Sequence, residues 1–397
     1  MGRQRIVVVG LSFLVLAFTL AGRLVGGEGG QRDQTYQDLA TFTEVLDLVN
    51  SSYVDPVAED LLMSGAFRGM LASLDPKSGW LSPEEVKALS DDDNRLASGI
   101  EMTKRSGYAY VAAVQAGSPA AVAGVHPGEY IRTINGRSTR EMSVFQIRHA
   151  LGGPAGTNLS LNLFGGREGR TIAVDLVPYE SAPVSVEERD GGVLLIRVHY
   201  LEPETVEAVK LTLAQPSAAT RHVLLDLRDT VGGDRETGVG LADLFLAGGP
   251  IVEVTRRGAE PVTVAAGTDT SWSGPLSVLV NRMSAGTVEI AVAALKGRER
   301  AEILGEPTFG DDTVQRLIRL PDDSALILSV GHYVGPDGST WSDGGIEPDV
   351  AIIAGTAATG EAAGEDAGEN AGDEDDDQLA RALAHIVESE SAEKSAA

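Results

Sequence analysis

The sequence predicts a multidomain protein of the α+β / α/β class, and three observations predict it. Apolar residues over 34–87 recur at helical spacing. Residues 94–178 consist of short apolar runs punctuated by glycine turns. From 179 to 355 apolar strand-like runs alternate with amphipathic helical ones, the pattern of an α/β sheet core. The 397 residues, 43% of them hydrophobic, suffice for two or three domains with cores of their own.

In chain order, YQDLATFTEVLDLVNSSYV and DPVAEDLLMSGAFRGMLASLD read as helices of a region spanning 34–93. The DPKSGW stretch is a turn, and Ser82 with Glu85 forms a capping-box pattern for a further helix. In the region 94–178, a helix through Ala120–Ala123 ends at Gly124, and Gly128 and the Asn135-Gly136 pair form turns between strands. In the region 179–355, GGVLLIRVHYL, HVLLDLRDTVGGD and PLSVLVNRM are strands. ETGVGLADLFLAG and SAGTVEIAVAALKG are helices, the second beginning near Ser284 with that residue as its amino-terminal cap. AEILGEPT, TVQRLIRLP, ALILSVGHYVG and GIEPDVAI complete the domain. Residues 356–397 are an acidic tail. Its first part is an Ala/Gly/acidic low-complexity linker, and QLARALAHIVESE is read as partly helical rather than as a docked helix.

Composition excludes several function classes. The chain has no cysteine, so disulfides, thiolate nucleophiles and cysteine-ligated zinc are ruled out, and no cofactor is expected. A net charge of −26 argues against nucleic acid as a partner, because a binder needs a positive footprint. The segment after Gly355 holds twelve of the acidic residues, but the body is acidic without it. At the amino end, Arg3 and Arg5 precede an apolar run from Ile6 to Ala21, shorter than the roughly 20 residues of a comfortable membrane span. Residues 1–29 are therefore expected to be an export signal, either cleaved or retained as an anchor in the inner membrane. The body is expected in the cell envelope, periplasmic or otherwise extracytoplasmic.

Several motifs together carry a family resemblance. AGSPAAVAGVHPGEYIRTINGRS resembles the signature of bacterial PDZ domains, and Ala97-Ser98-Gly99-Ile100 is similar to their carboxylate-binding loop. DLRDTVGG, VLVNRMSAGTVEIAVAAL, LGEPTFGDDTVQ and DGGIEPDV are similar to successive motifs of the carboxyl-terminal processing (tail-specific) proteases. These are serine peptidases with a Ser-Lys dyad and a built-in PDZ domain, on a ClpP/crotonase-like core. The resemblance runs in order from about residue 36 to 353. It implies that Ser98, Gly99 and Ile100 offer backbone N–H groups to a peptide's terminal carboxylate, with packing alone as the alternative role for the PDZ domain. It implies that Gly232 and Gly233 form a turn with an oxyanion-hole N–H, that Gln315 supports the dyad, and that Glu289 is a retained acidic residue.

The same alignment places the nucleophile at Gly286 and the base at Asp311, so neither group of the dyad is present. A dyad needs a hydroxyl to attack and a neutral amine to take its proton. No lysine occurs from Gly297 to Glu393, and Lys296 lies at the far end of its helix. Ser284 is the weak candidate for a relocated nucleophile and Thr287 a second hydroxyl. Nothing in the sequence brings His199, His222 or His332 beside Ser284, and neighbouring Asp311 and Asp312 should point apart. The expectation is a pseudoprotease that binds protein carboxyl termini or unfolded envelope proteins, or regulates an active protease relative. An active serine endopeptidase with a moved site and a structural PDZ assembly protein are the alternatives.

Overall fold

A computed structural model describes residues 29–90, 95–165, 169–342, 344–353 and 371–396. The expected amino-terminal signal and the acidic linker lie outside the described residues. Among the described residues no helix is long and apolar enough to cross a membrane. The described residues form two compact units, divided between Phe67 and Arg68. The first holds helix α1 (Gly29–Ser52), with Leu39, Phe42 and Val45 exposed, and the start of α2 (Glu59–Ala72).

The second unit begins in the last turn of α2. Strand β1 (Gly79–Leu81) follows, then α3 (Pro83–Ser90), closed by reciprocal bonds between Ser82 and Glu85 of 2.9 and 3.2 Å. The region expected to be helical thus contains a strand. Its turn is fixed by Asp75, whose carboxylate accepts from the N–H of Lys77 and from the N–H and hydroxyl of Ser78.

Residues 95–175 fold around one apolar cluster that includes Val111, Ile131, Ile147 and Leu161. Strands β2 (Arg95–Ala97), β3 (Ile100–Arg105) and β4 (Tyr108–Val114) lead to a single helical turn, α4 (Pro119–Val122), capped by the Ser118 hydroxyl. Next come β5 (Tyr130–Ile134), β6 (Arg137–Ser138), α5 (Val144–Ala150), β7 (Gly152–Pro154), β8 (Asn158–Phe164) and β9 (Arg170–Asp175). The antiparallel order β3-β4-β5-β8-β9, with β2 on β7, is the compact sheet that the glycine turns predict.

The remaining residues build the α/β core: β10 (Val184–Arg189), β11 (Val193–Val198), α6 (Pro203–Leu213), β12 (His222–Asp226), β13 (Val231–Gly232), α7 (Arg235–Asp243), β14 (Pro250–Arg256), β15 (Val262–Ala265), β16 (Leu276–Val280), β17 (Ala285–Gly286), α8 (Thr287–Gly297), β18 (Glu302–Gly305), β19 (Thr313–Arg319), β20 (Ala325–Val334), β21 (Val350–Ala351) and α9 (Ala371–Ala396). Six strands run β10-β11-β12-β16-β18-β21, parallel from β11 onward. A second, antiparallel sheet joins β1, β20, β14 and β15, with β19 also on β20, so the amino-terminal turn is stitched onto the core.

Every residue of β12 and β16 is buried, as expected of parallel strands covered on both faces. Side chains alternate between the faces. Val223, Leu225 and Val278 enter the cluster under α7 and α8, while Leu224, Leu279 and Leu304 face the other way. There Leu379, Ala382 and Ile386 of α9 cover them. This corrects the reading of the carboxyl-terminal segment as a partly helical tail: it is a docked helix. Each fully buried leucine or isoleucine of that interface is worth about 1.5–3 kcal/mol, so the packing of α9 on the sheet, not its isolated helicity, holds it in place.

Candidate active site

Two turns at the carboxyl ends of β12 and β16 form the centre of the site. Asn281 joins them: its Oδ1 accepts from the N–H of Asp229 at 3.1 Å, and its Nδ2 donates to Asp229 Oδ1 at 2.9 Å. Ser284 adds a second stitch. Its hydroxyl donates to the Leu227 carbonyl at 2.8 Å and accepts from Asn281 N–H at 3.1 Å, in full burial. The helix begins at Thr287 with Gly286 as its cap, so Ser284 does not cap it. Buried and committed to a carbonyl, the Ser284 hydroxyl has no open face for attack on a substrate.

Strand β13 pairs with β17 so that Gly232 lies opposite Gly286. The expected oxyanion turn and the expected nucleophile position are therefore side by side. Gly286 has φ 76° and ψ −131° at the strand-to-helix turn, an elbow with a backbone that residues with side chains rarely adopt. A Cβ built there would meet Gly232 O at 3.7 Å and Gly232 N at 3.8 Å, ordinary contacts. The elbow has room for a side chain; glycine merely adopts its backbone without cost. Thr287, one residue on, donates its hydroxyl to Gly232 O at 2.6 Å.

Glu289, in the first turn of α8, braces both halves of the site. It accepts from Gly286 N at 3.0 Å, Gly310 N at 2.7 Å, Asp311 N at 2.8 Å and the Thr308 hydroxyl at 2.5 Å. Burial raises its pKa to about 7, against the pull of these donors, and the nearby charge of Asp311 adds to the rise.

The expected base position, Asp311, is part of an ion pair. Asp311 binds Lys77 Nζ, which also donates to Thr313 Oγ1 at 3.0 Å, and both side chains are largely shielded, 24% and 19% exposed. Asp311 Oδ1 further accepts from the Thr313 N–H and hydroxyl. Lys77 was missed in the sequence, where DPKSGW read only as a turn. Its delivery is tertiary: Ser78 Oγ accepts from Ser329 N, and β1 pairs with β20, whose other edge carries Thr313. Lys296 is elsewhere, paired with Asp349.

Asp312 turns away to His332 at 2.9 Å and to the Ser342 hydroxyl, fully buried. His199 bonds Ser185 and His222 bonds Ser277, so none of the three histidines bonds Ser284. Gln315 lines the same cleft as Gly286, Asp311 and Lys77, a space of about 230 Å³.

A larger cavity of about 700 Å³ adjoins it. Ser98, Gly99 and Ile100 line one end and Gly232 and Gly233 the other, so the expected peptide loop and the expected oxyanion turn share one space. Gly99 has φ 81°, and a Cβ there would come within 2.1 Å of Ser118 Cβ, so the loop demands glycine. Ser98 donates its N–H to Leu151 O at 3.1 Å. Arg148 from α5 lines both the cavity and the cleft. Beside it Glu101 is held up by burial, with Arg148 and Gln115 opposing, and Tyr179, which donates to Gln115, is pushed up to about 12 by burial.

A PDZ-like module on an α/β core, with an elbow opposite a glycine turn, defines a PDZ-containing serine-peptidase fold. Residues 193–352 match Peptidase family S41, residues 110–163 a PDZ domain, and residues 21–84 the amino-terminal domain of the activating protease CtpB. A carboxy-terminal-processing protease of Bartonella bacilliformis is 30% identical over 80% of this chain and 76% of its own. A probable CtpA-like serine protease of Staphylococcus aureus is 27% identical over 85% and 69%. The solved photosystem II D1 C-terminal processing protease superposes with a TM-score of 0.64 at 25% identity, over 78% of this chain and 92% of its own. The chain belongs to the carboxyl-terminal processing protease family.

Proposed function

We propose that this family member no longer cleaves peptide bonds and instead binds protein carboxyl termini in its envelope compartment. The observation that carries the reading is the pairing of Lys77 with Asp311 beside a side-chain-less Gly286. A glycine supplies no nucleophile, and the amine of Lys77 is engaged by the Asp311 carboxylate instead of standing beside a hydroxyl. The peptide-binding parts remain: the Ser98–Ile100 loop opens into a cavity large enough for several residues of extended chain. Export follows from the basic, apolar amino terminus. Regulation of an active relative is the same binding with that relative's terminus as ligand.

The test uses the full chain with an unfolded protein bearing an apolar carboxyl terminus. No cleavage is expected, and a serine-reactive phosphonate should leave Ser284 unlabelled. A peptide with a free apolar terminus should bind, and its carboxamide should bind at least tenfold more weakly. Cleavage abolished by Ser284→Ala, or equal binding of acid and amide, would overturn the reading.

A further inference from the structure

Behind the turn that delivers Lys77 lies a cavity of about 390 Å³ that does not include the peptide loop, Gly232 or Gly286. Asp75, Pro76 and Ser78 form one wall, while Lys77 between them lines the cleft on the other side. Three cations line it: Arg68 from the end of α2, Lys104 from β3, and Arg140 from the turn after β6. Among the described residues none of the three forms an ion pair. Arg68 rests 5.4 Å over the ring of Trp80, and its Nε is buried without a hydrogen-bond partner. Arg140 lies 5.1 Å over Tyr108. Lys104 reaches only the carbonyls of Arg140 and Met142, at 3.2 and 2.6 Å.

Three cations without counter-ions are unexpected in a chain of net charge −26. Two carboxylates also line the space, and neither neutralises the three. Asp75 is bound by the N–H groups of Lys77 and Ser78 and by the Ser78 hydroxyl, and Glu141 is exposed at the rim. Burial, with the charge of Arg140, holds Lys104 below the ordinary lysine range, the mark of a cation short of an anion. We propose that this cavity binds an oxyanion group, gripped by the planar forks of Arg68 and Arg140 and the ammonium of Lys104. The site is independent of the peptide-binding reading.

Inorganic phosphate and acetate are titrated into the full chain by calorimetry against chloride at matched ionic strength, while the Trp80 indole N–H is followed by NMR. Saturable heat with a Trp80 shift is expected. A response to phosphate alone identifies a phosphate ligand, and an equal response to acetate a carboxylate. Arg140→Gln, at an exposed position, and Lys104→Met should each weaken binding at least tenfold. No saturable heat beyond chloride, binding that leaves Trp80 unmoved, or Arg140→Gln binding as the parent does would overturn the proposal.

Discussion

The two sides of the cleft differ, each in its own way, from the Ser-Lys dyad that the family resemblance implies. On the nucleophile side the backbone is kept and the side chain is gone: Gly286 holds φ 76°, its N–H bonds Glu289, and Gly232 stays in register opposite. On the expected base side an aspartate stands where the resemblance implies a lysine, and Lys77 from a distant turn pairs with it. The first change is a deletion that relieves backbone strain. The second is a replacement that creates an interaction, so a lysine at 311 would meet the charge of Lys77, whereas a serine at 286 would meet only the positive φ of its own backbone.

The largest expected effect comes from what the two sides share. Glu289→Ala leaves three half-buried N–H groups and the buried Thr308 hydroxyl without their acceptor, and should cost about 4 kcal/mol in chemical denaturation. An effect below about 1 kcal/mol would show that the halves are braced separately. Gly286→Ser places a side chain in a left-handed elbow with ordinary contacts, and should destabilise by about 1–3 kcal/mol from backbone strain. No loss would mean that the elbow relaxes, and with it the likeness to a nucleophile turn.

Lys77→Met gives a smaller effect but a sharper one, because its sign should invert. In the natural chain it removes the partner of Asp311 and should cost about 1 kcal/mol. In an Asp311→Lys background it removes a like charge and should stabilise. The same sign in both backgrounds would deny the ion pair any role. By the same argument, Gly286→Ser with Asp311→Lys should gain peptidase activity more readily once Lys77 is also replaced, measured on the unfolded substrate.

The remaining effect is read from pH dependence rather than from a substitution at the cleft. Glu289 titrates near 7 in the fold, against 4.5 for an ordinary glutamate, because it is buried. The native state therefore binds more protons between those values. The stabilisation is complete below about 4.5 and is lost as pH rises through about 7. Glu289→Gln should flatten that slope, and an unchanged slope would assign it to other groups.

Much of this was legible in the chain. The continuous apolar runs HVLLD and LSVLV require cover on both sheet faces, and α7 and α8 supply one face only. That demand was a signal that QLARALAHIV had to dock, and tail composition concealed it. The Ser284 cap failed because Ser284 is bound to the Leu227 carbonyl across the β12 turn, a contact that local spacing does not encode.

The sequence alone determined the order of the domains, the family motifs, and the absence of serine at 286 and lysine at 311, because identity and spacing are local properties of a chain. Tertiary structure alone decided that the base position is not empty. Lys77 and Asp311 are 234 positions apart, and they meet because β1 pairs with β20 while Ser78 bonds Ser329. The three counter-ion-poor cations around Trp80 likewise come from separate segments. A charge has no partner in a sequence; only the fold sets which opposite charge it can reach, and how much water remains to screen the pair.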